Sequence, residues 1–171
     1  VAIAAIDRRK GQWTQSIANF EKAVSLDPKN AIVLENLGLT YQAVRDYPAA
    51  ARAFEAGIAA APDSLNLAGS RADVEVDWKG DLGPTKAVLA RLPPDLDPEG
   101  RVTLARLVVA LMERNFSEAF EILAHNPRAQ FQDDHGAPLP RGFIEGEIYR
   151  LTGDTAKARA FGADAILNAC V

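Results

Sequence analysis

Residues Ala31 to Pro62 read AIVLENLGLTYQAVRDYPAAARAFEAGIAAAP, and this stretch decides the fold. Leu34, Leu37 and Tyr41 fall at helical spacing on one face, and Gly38 between them permits close approach of a neighbouring helix. Asp46-Tyr47-Pro48 breaks that helix and starts another, because proline is tolerated only in a first turn. Ala50 and Phe54, four apart, supply the apolar stripe of the second helix, and Pro62 ends it. Such a helix-turn-helix hairpin cannot bury both of its faces alone, so it calls for neighbours.

The neighbours are in the sequence. Trp13, Ser16, Phe20 and Pro28 precede Tyr47, Ala50, Phe54 and Pro62 by 34 residues each. Four markers kept in phase make a repeat. Beyond Pro62 the corresponding positions are Leu82, Thr85 and Leu89, then Phe116, Ala119 and Leu123, then Thr155 and Ala158, at spacings of 35, 34 and 39. Lys79-Gly80-Asp81 and Thr152-Gly153-Asp154 supply turns in which glycine ends one helix and aspartate caps the next. The phase predicts ten helices, at about 1–9, 13–26, 30–44, 47–61, 65–78, 82–92, 98–113, 116–125, 140–151 and 154–169. Two irregularities interrupt it. Leu92-Pro93-Pro94-Asp95-Leu96-Asp97-Pro98 reads as an extended, proline-stiffened link, and His125 to Pro140 as a loop holding about five extra residues.

Leu37, Gly38, Tyr41, Ala50, Phe54 and Pro62 stand at the offsets of the tetratricopeptide pattern, with Leu34 in place of its tryptophan. On these residues the chain resembles a tetratricopeptide-repeat (TPR) protein. The resemblance implies an all-α, right-handed superhelical solenoid of about five helix-turn-helix repeats. They would form a single domain over 1–171, with units at about 1–29 (truncated), 30–63, 64–97, 98–134 and 135–171. In the third unit the register is ambiguous by one residue. Placing Gly80 at the turn sets Asp73 where the family prefers a small residue, which suggests an extra residue in the turn. Asp77-Trp78-Lys79-Gly80-Asp81, Ala90-Arg91-Leu92-Pro93-Pro94 and the run Ile148 to Asp154 further resemble the arrays of bacterial multidomain signalling proteins. There the repeats follow adenylate-cyclase, protein-kinase or winged-helix domains.

The family's first helices line a concave groove that holds a peptide or a helix. Here the candidate lining is Ile32, Glu35, Asn36, Leu39 and Gln42, then Ser70, Arg71, Val74 and Asp77, then Arg101, Leu104, Val108 and Leu111. This mixture suits an amphipathic or extended peptide better than a highly charged ligand. The family's clamp for a terminal carboxylate is not reproduced. Val1 and Ala5 stand at its first two positions and Leu67 at a lysine position. Asn36 matches its central asparagine, and Arg71 matches its arginine only with Gly80 at the turn. The implied function is a non-catalytic protein-interaction scaffold with a protein or peptide partner. The alternative is a regulatory or sensory segment of a larger signalling protein, acting by intramolecular docking or dimerisation.

Composition narrows the classes further. With 48% hydrophobic and 25% charged residues the chain is globular. A net charge of -4 argues against nucleic acid as the main partner, and no apolar run approaches the length of a membrane span. Val1 to Arg9 reads as the tail of a helix already under way, so we expect the native chain to extend N-terminally and this to be its C-terminal part. Apolar residues such as Ile3 and Ile6 in that truncated unit offer a route to self-association. The lone Cys170 excludes an internal disulfide and leaves the compartment open, with the cytoplasm favoured. Asp133-Asp134-His135 lacks a second His or Cys for a zinc set, and Gly80 to Pro84 lacks the Lys-Ser/Thr of a phosphate cradle. Glu113-Arg114 and Glu145/Glu147/Arg150 read as solvated or intrahelical pairs. Catalytic residues, metal ligands and cofactors are therefore not expected.

Overall fold

A computed structural model describes residues 1–93, 96–132 and 137–161. The chain divides into two compact units, Val1–Ala90 and Arg91–Val171. The first carries helices α1 (Ala2–Arg9), α2 (Trp13–Leu26), α3 (Ala31–Ala43), α4 (Tyr47–Ala60), α5 (Leu65–Lys79) and α6 (Gly83–Arg91), the last ending one residue past the division. Short polar side chains start these helices. The Asn30, Asp46 and Ser64 side chains accept from the backbone N–H of Val33, Ala49 and Leu67, so one otherwise orphaned donor is satisfied at each start.

The turn inside each helix pair holds one left-handed residue: Gly11, Arg45, Gly80, Arg114 and Gly153, with φ between 56° and 86°. Their spacings reproduce the 34, 35, 34 and 39 of the sequence markers. Arginine takes this conformation at Arg45 and Arg114, where the three other units use glycine.

Phe20 and Phe54 are fully buried at equivalent places in the first unit. A Cβ on Gly38 would lie 2.7 Å from the Phe54 ring, so α3 meets α4 through bare backbone. Ala4 and Ala72, 34 residues to either side of Gly38, are buried in the same way. This settles the register of the third unit. Ala72 is its small residue and Asp73 is exposed. The extra residue lengthens α5, which has 15 residues against 13 in α3, and does not lie in the turn.

In the second unit a single 3-10 turn (Pro98–Gly100) leads into α7 (Arg101–Met112), α8 (Phe116–His125), strands β1 (Gln130–Gln132) and β2 (Pro138–Pro140), and α9 (Arg141–Thr152). A tenth helix runs over 155–161. Its predicted continuation to 169, the Asp133-Asp134-His135 run, Cys170 and the Pro94-Asp95 step lie outside the described residues. The predicted loop between α8 and α9 carries an antiparallel strand pair, with Phe131 opposite Leu139. Phe131 is fully buried with Leu107, Leu123, Ile144 and Ile148, so the extra residues supply part of the core. Gly100 (φ 81°) makes room for it, since a Cβ there would lie 2.5 Å from the Phe131 ring.

Phe54→Ala should cost about 3–5 kcal/mol, as a large-to-small change in a packed core. Arg45→Gly should stabilise by about 1 kcal/mol, because glycine adopts the left-handed conformation without the Cβ penalty. Urea unfolding followed by circular dichroism reads both. A loss below about 1 kcal/mol for the first would contradict the burial of Phe54.

Candidate partner-binding faces

Burial on α3 is one-sided. Val33, Leu34, Leu37, Gly38 and Thr40 face the core. Ile32, Glu35, Asn36, Leu39 and Gln42 fall on the opposite arc, with Ile32 67% exposed and Leu39 39% exposed although both are aliphatic. Ile32 and Leu39 are seven residues apart and so lie two turns apart on one line.

The polar members of this arc already have partners. Asn36 donates to the Ile32 carbonyl at 2.9 Å, and its own side-chain oxygen accepts from Arg8 of α1 at 3.1 Å. Arg8 also donates to the Asn36 carbonyl at 3.2 Å and reaches the Thr40 hydroxyl at 3.4 Å. Its guanidinium lies 5.8 Å from the Phe20 ring centre. Burial, and then the neighbouring Arg9 charge, lower its pKa from the usual value. Sequence reasoning took Arg8 only as the closing charge of a helix. A contact across 28 residues leaves no local pattern from which it could have been found.

On α5 the one-residue shift in register changes the expected lining. Ser70 and Asp77 stand on the open side, and Asp77 accepts from Gln42 at 2.7 Å. Val74 does not line a groove: it is fully buried with Ala50, Phe54 and Leu67. Arg71 is turned to Glu55 of α4 (3.0 Å) and Glu75 of its own helix (2.8 Å), and Lys79 holds the other Glu75 oxygen at 2.7 Å. Burial would lower the Arg71 pKa, but these two carboxylates raise it on balance. Hydrogen bonds from Lys79 and then Arg71 hold Glu75 below the ordinary carboxylate range. A guanidinium so engaged is not an open receiver for a ligand carboxylate.

In the second unit Arg101 and Val108 are exposed on α7, with Met112 beside them. Leu104 and Leu111, also expected in the lining, pack against the buried core of that unit. Asp97 is its polar centre. One carboxylate oxygen accepts from the backbone N–H groups of Val102 (3.0 Å) and Thr103 (3.1 Å). The other accepts from the Thr103 hydroxyl (2.8 Å) and the Asn126 amide (2.9 Å). Burial would raise its pKa, but the bonds from Thr103, the Arg128 charge and the Val102 N–H bring it below the ordinary value. Asp97, Thr103, Arg106, Glu118, Glu121 and His125 border an open cleft of about 530 Å³. His125 Nδ1 lies 2.8 Å from the Glu121 carbonyl, a local contact within α8. Among the described residues no group of three His, Cys, Asp or Glu side chains is placed to hold a metal ion. Among them, too, no helix is long and apolar enough to cross a membrane.

Helix pairs recurring in phase, with small residues at their contacts, define an all-α helical-repeat protein. The TPR repeat family model matches residues 5–44. The chain is similar in structure to a tetratricopeptide repeat protein from Parabacteroides merdae (TM-score 0.75, 16% identity), over 97% of this chain and 62% of that one. It therefore spans less than two thirds of that protein's length. It is also similar to a thermophilic TPR protein of Thermus thermophilus (TM-score 0.62, 17% identity), over 97% of this chain and 88% of the other. No curated protein matches it by sequence. The chain is a tetratricopeptide-repeat protein, with its family signature in residues 5–44. Such folds serve in general as protein-interaction scaffolds.

The Asp97 network carries a pH signature. Its folded pKa is depressed, so its contribution is present above the unfolded value of 3.8 and is lost as pH falls through the folded pKa. Asp97→Asn should lower the stability of the folded chain at neutral pH by about 1–2 kcal/mol, as for loss of a helix-capping carboxylate. The difference from wild type should shrink below about pH 4, where the carboxylate protonates. Thermal unfolding at a series of pH values measures this; a difference independent of pH would refute the assigned charge state.

Proposed function

We propose that this chain is a non-catalytic scaffold, one domain of about five repeats, that binds a peptide or helix on the open side of α3. The exposure of Ile32 and Leu39 on one line of the first helix of a repeat carries this reading. Two aliphatic side chains two turns apart, flanked by Glu35 and Gln42, suit an amphipathic segment with an apolar stripe of its own. The pairing of Asn36 with Arg8 and of Arg71 with Glu55 and Glu75 argues against a terminal carboxylate as the main ligand. Ser70 and Asp77 would extend the same face, and Arg101 and Val108 would present the corresponding side of α7.

A second reading rests on a different observation. Val1, Ile3 and Ile6 of α1 are exposed. They favour a regulatory segment that docks through α1 on a neighbouring part of a longer signalling protein, or on a second copy.

Ile32→Ser with Leu39→Ser leaves the buried side of α3 untouched and should weaken partner capture at least tenfold. Loss of two buried aliphatic contacts, each about 1.5–3 kcal/mol, sets that expectation. Affinity capture with mass spectrometry, comparing wild type with the double variant at equal folded fraction, tests it. Retention of every captured protein by the variant would exclude this face. Sedimentation at increasing concentration tests the second reading: Ile3→Ser with Ile6→Ser should abolish any dimer.

A further inference from the structure

The turn edge of the first unit is built differently from the α3 face. Trp78, at the end of α5, is 45% exposed and stacks on Tyr47, the first residue of α4, with ring centres 6.4 Å apart and planes 24° apart. Trp13 and Val44 stand 34 residues before Tyr47 and Trp78, at the equivalent places of the preceding repeat, and are 39% and 36% exposed. Two successive repeats thus place an aromatic residue at the start of the second helix and an apolar one at the end of the next first helix. The result is a broken apolar ledge along the turns, a surface that a solvated protein does not leave open by default.

The charges on this edge are of one sign. Lys10 ends α1 and Arg45 follows Val44; both are exposed, and neither has an ionic or hydrogen-bonding side-chain partner among the described residues. The nearby carboxylates are engaged. Asp46 accepts from Ala49 N–H at 3.1 Å, Asp81 from Gly83 N–H at 2.9 Å, and Asp77 from Gln42 at 2.7 Å. An occupant of this edge therefore meets aromatic faces and unpaired cations, with the anions already turned to the protein.

We infer that the ledge formed by Trp13, Val44, Tyr47 and Trp78, with Lys10 and Arg45, docks an acidic polypeptide segment that carries aromatic residues. The segment's aromatics stack along Trp78 and Tyr47, and its carboxylates pair with Lys10 and Arg45. The surface is distinct from the α3 face, so the two can be occupied independently.

Trp13 and Trp78 are the two tryptophans of the chain, so its tryptophan emission reports on this ledge alone. The probe is a synthetic peptide alternating aspartate with phenylalanine, titrated into the full chain at low salt and followed by emission and calorimetry. Binding heat with a blue shift of the emission is expected. Lys10→Gln with Arg45→Asn, both exposed and the second tolerant of a left-handed backbone, should weaken the complex about tenfold. Circular dichroism should show the same helix content for this variant as for wild type. Ile32→Ser with Leu39→Ser should leave the titration unchanged. The inference is overturned if the peptide gives no heat, or if a lysine–phenylalanine peptide binds as tightly. It also fails if an aspartate–serine peptide binds equally well, if oligothymidylate binds more tightly, or if the α3 substitutions abolish the signal.

Discussion

The contact between Gly38 and the ring of Phe54 is the constraint on which the first unit depends. No side chain separates them, and even a methyl group on Gly38 would lie 2.7 Å from the ring. The helices can therefore approach closely enough for one aromatic side chain to be wholly enclosed. Ala4 and Ala72 occupy the corresponding positions in the flanking repeats, so the same geometry propagates along the unit. Each pair lends its apolar side to the next, and stability accumulates over repeats and their interfaces.

A helix held in this way has an open side by necessity. On α3 that side carries Ile32 and Leu39, and the polar residues between them are fastened by α1 through Arg8. The arginine orders the Asn36 side chain and also occupies its oxygen, so the face is left with aliphatic contacts more than with free acceptors. The paired Arg71, Glu55, Glu75 and Lys79 have a similar effect, since side chains that satisfy each other offer little to a charged ligand.

The second unit shows what an irregular repeat can do with extra residues. The strand pair between α8 and α9 brings Phe131 into the core against Gly100, and Asn126 binds Asp97 and Thr103. Arg128 donates to the Asp97 carbonyl, and Arg141 at the start of α9 donates to that of Asn126. Apolar filling and polar fastening act at the same place, so an insertion that reads as surface loop is part of the packing.

The sequence by itself determined the helices, their pairing and their phase. Small residues, aromatic positions, capping residues and left-handed turns are local requirements that recur at fixed spacing, and Gly38, Phe54, Asp46 and Gly80 state them openly. It also marked the open arc of α3, because helical periodicity separates Leu34 and Leu37 from Ile32 and Leu39. Only the tertiary structure decided which side of α5 is buried, since one additional residue in that helix rotates every later side chain by about 100°. That rotation moves Val74 into the core and turns Arg71 to Glu55. The links from Arg8 to Asn36 and from Phe131 to Gly100 were equally beyond reach, because they join residues about 30 positions apart and depend on how the helices pack.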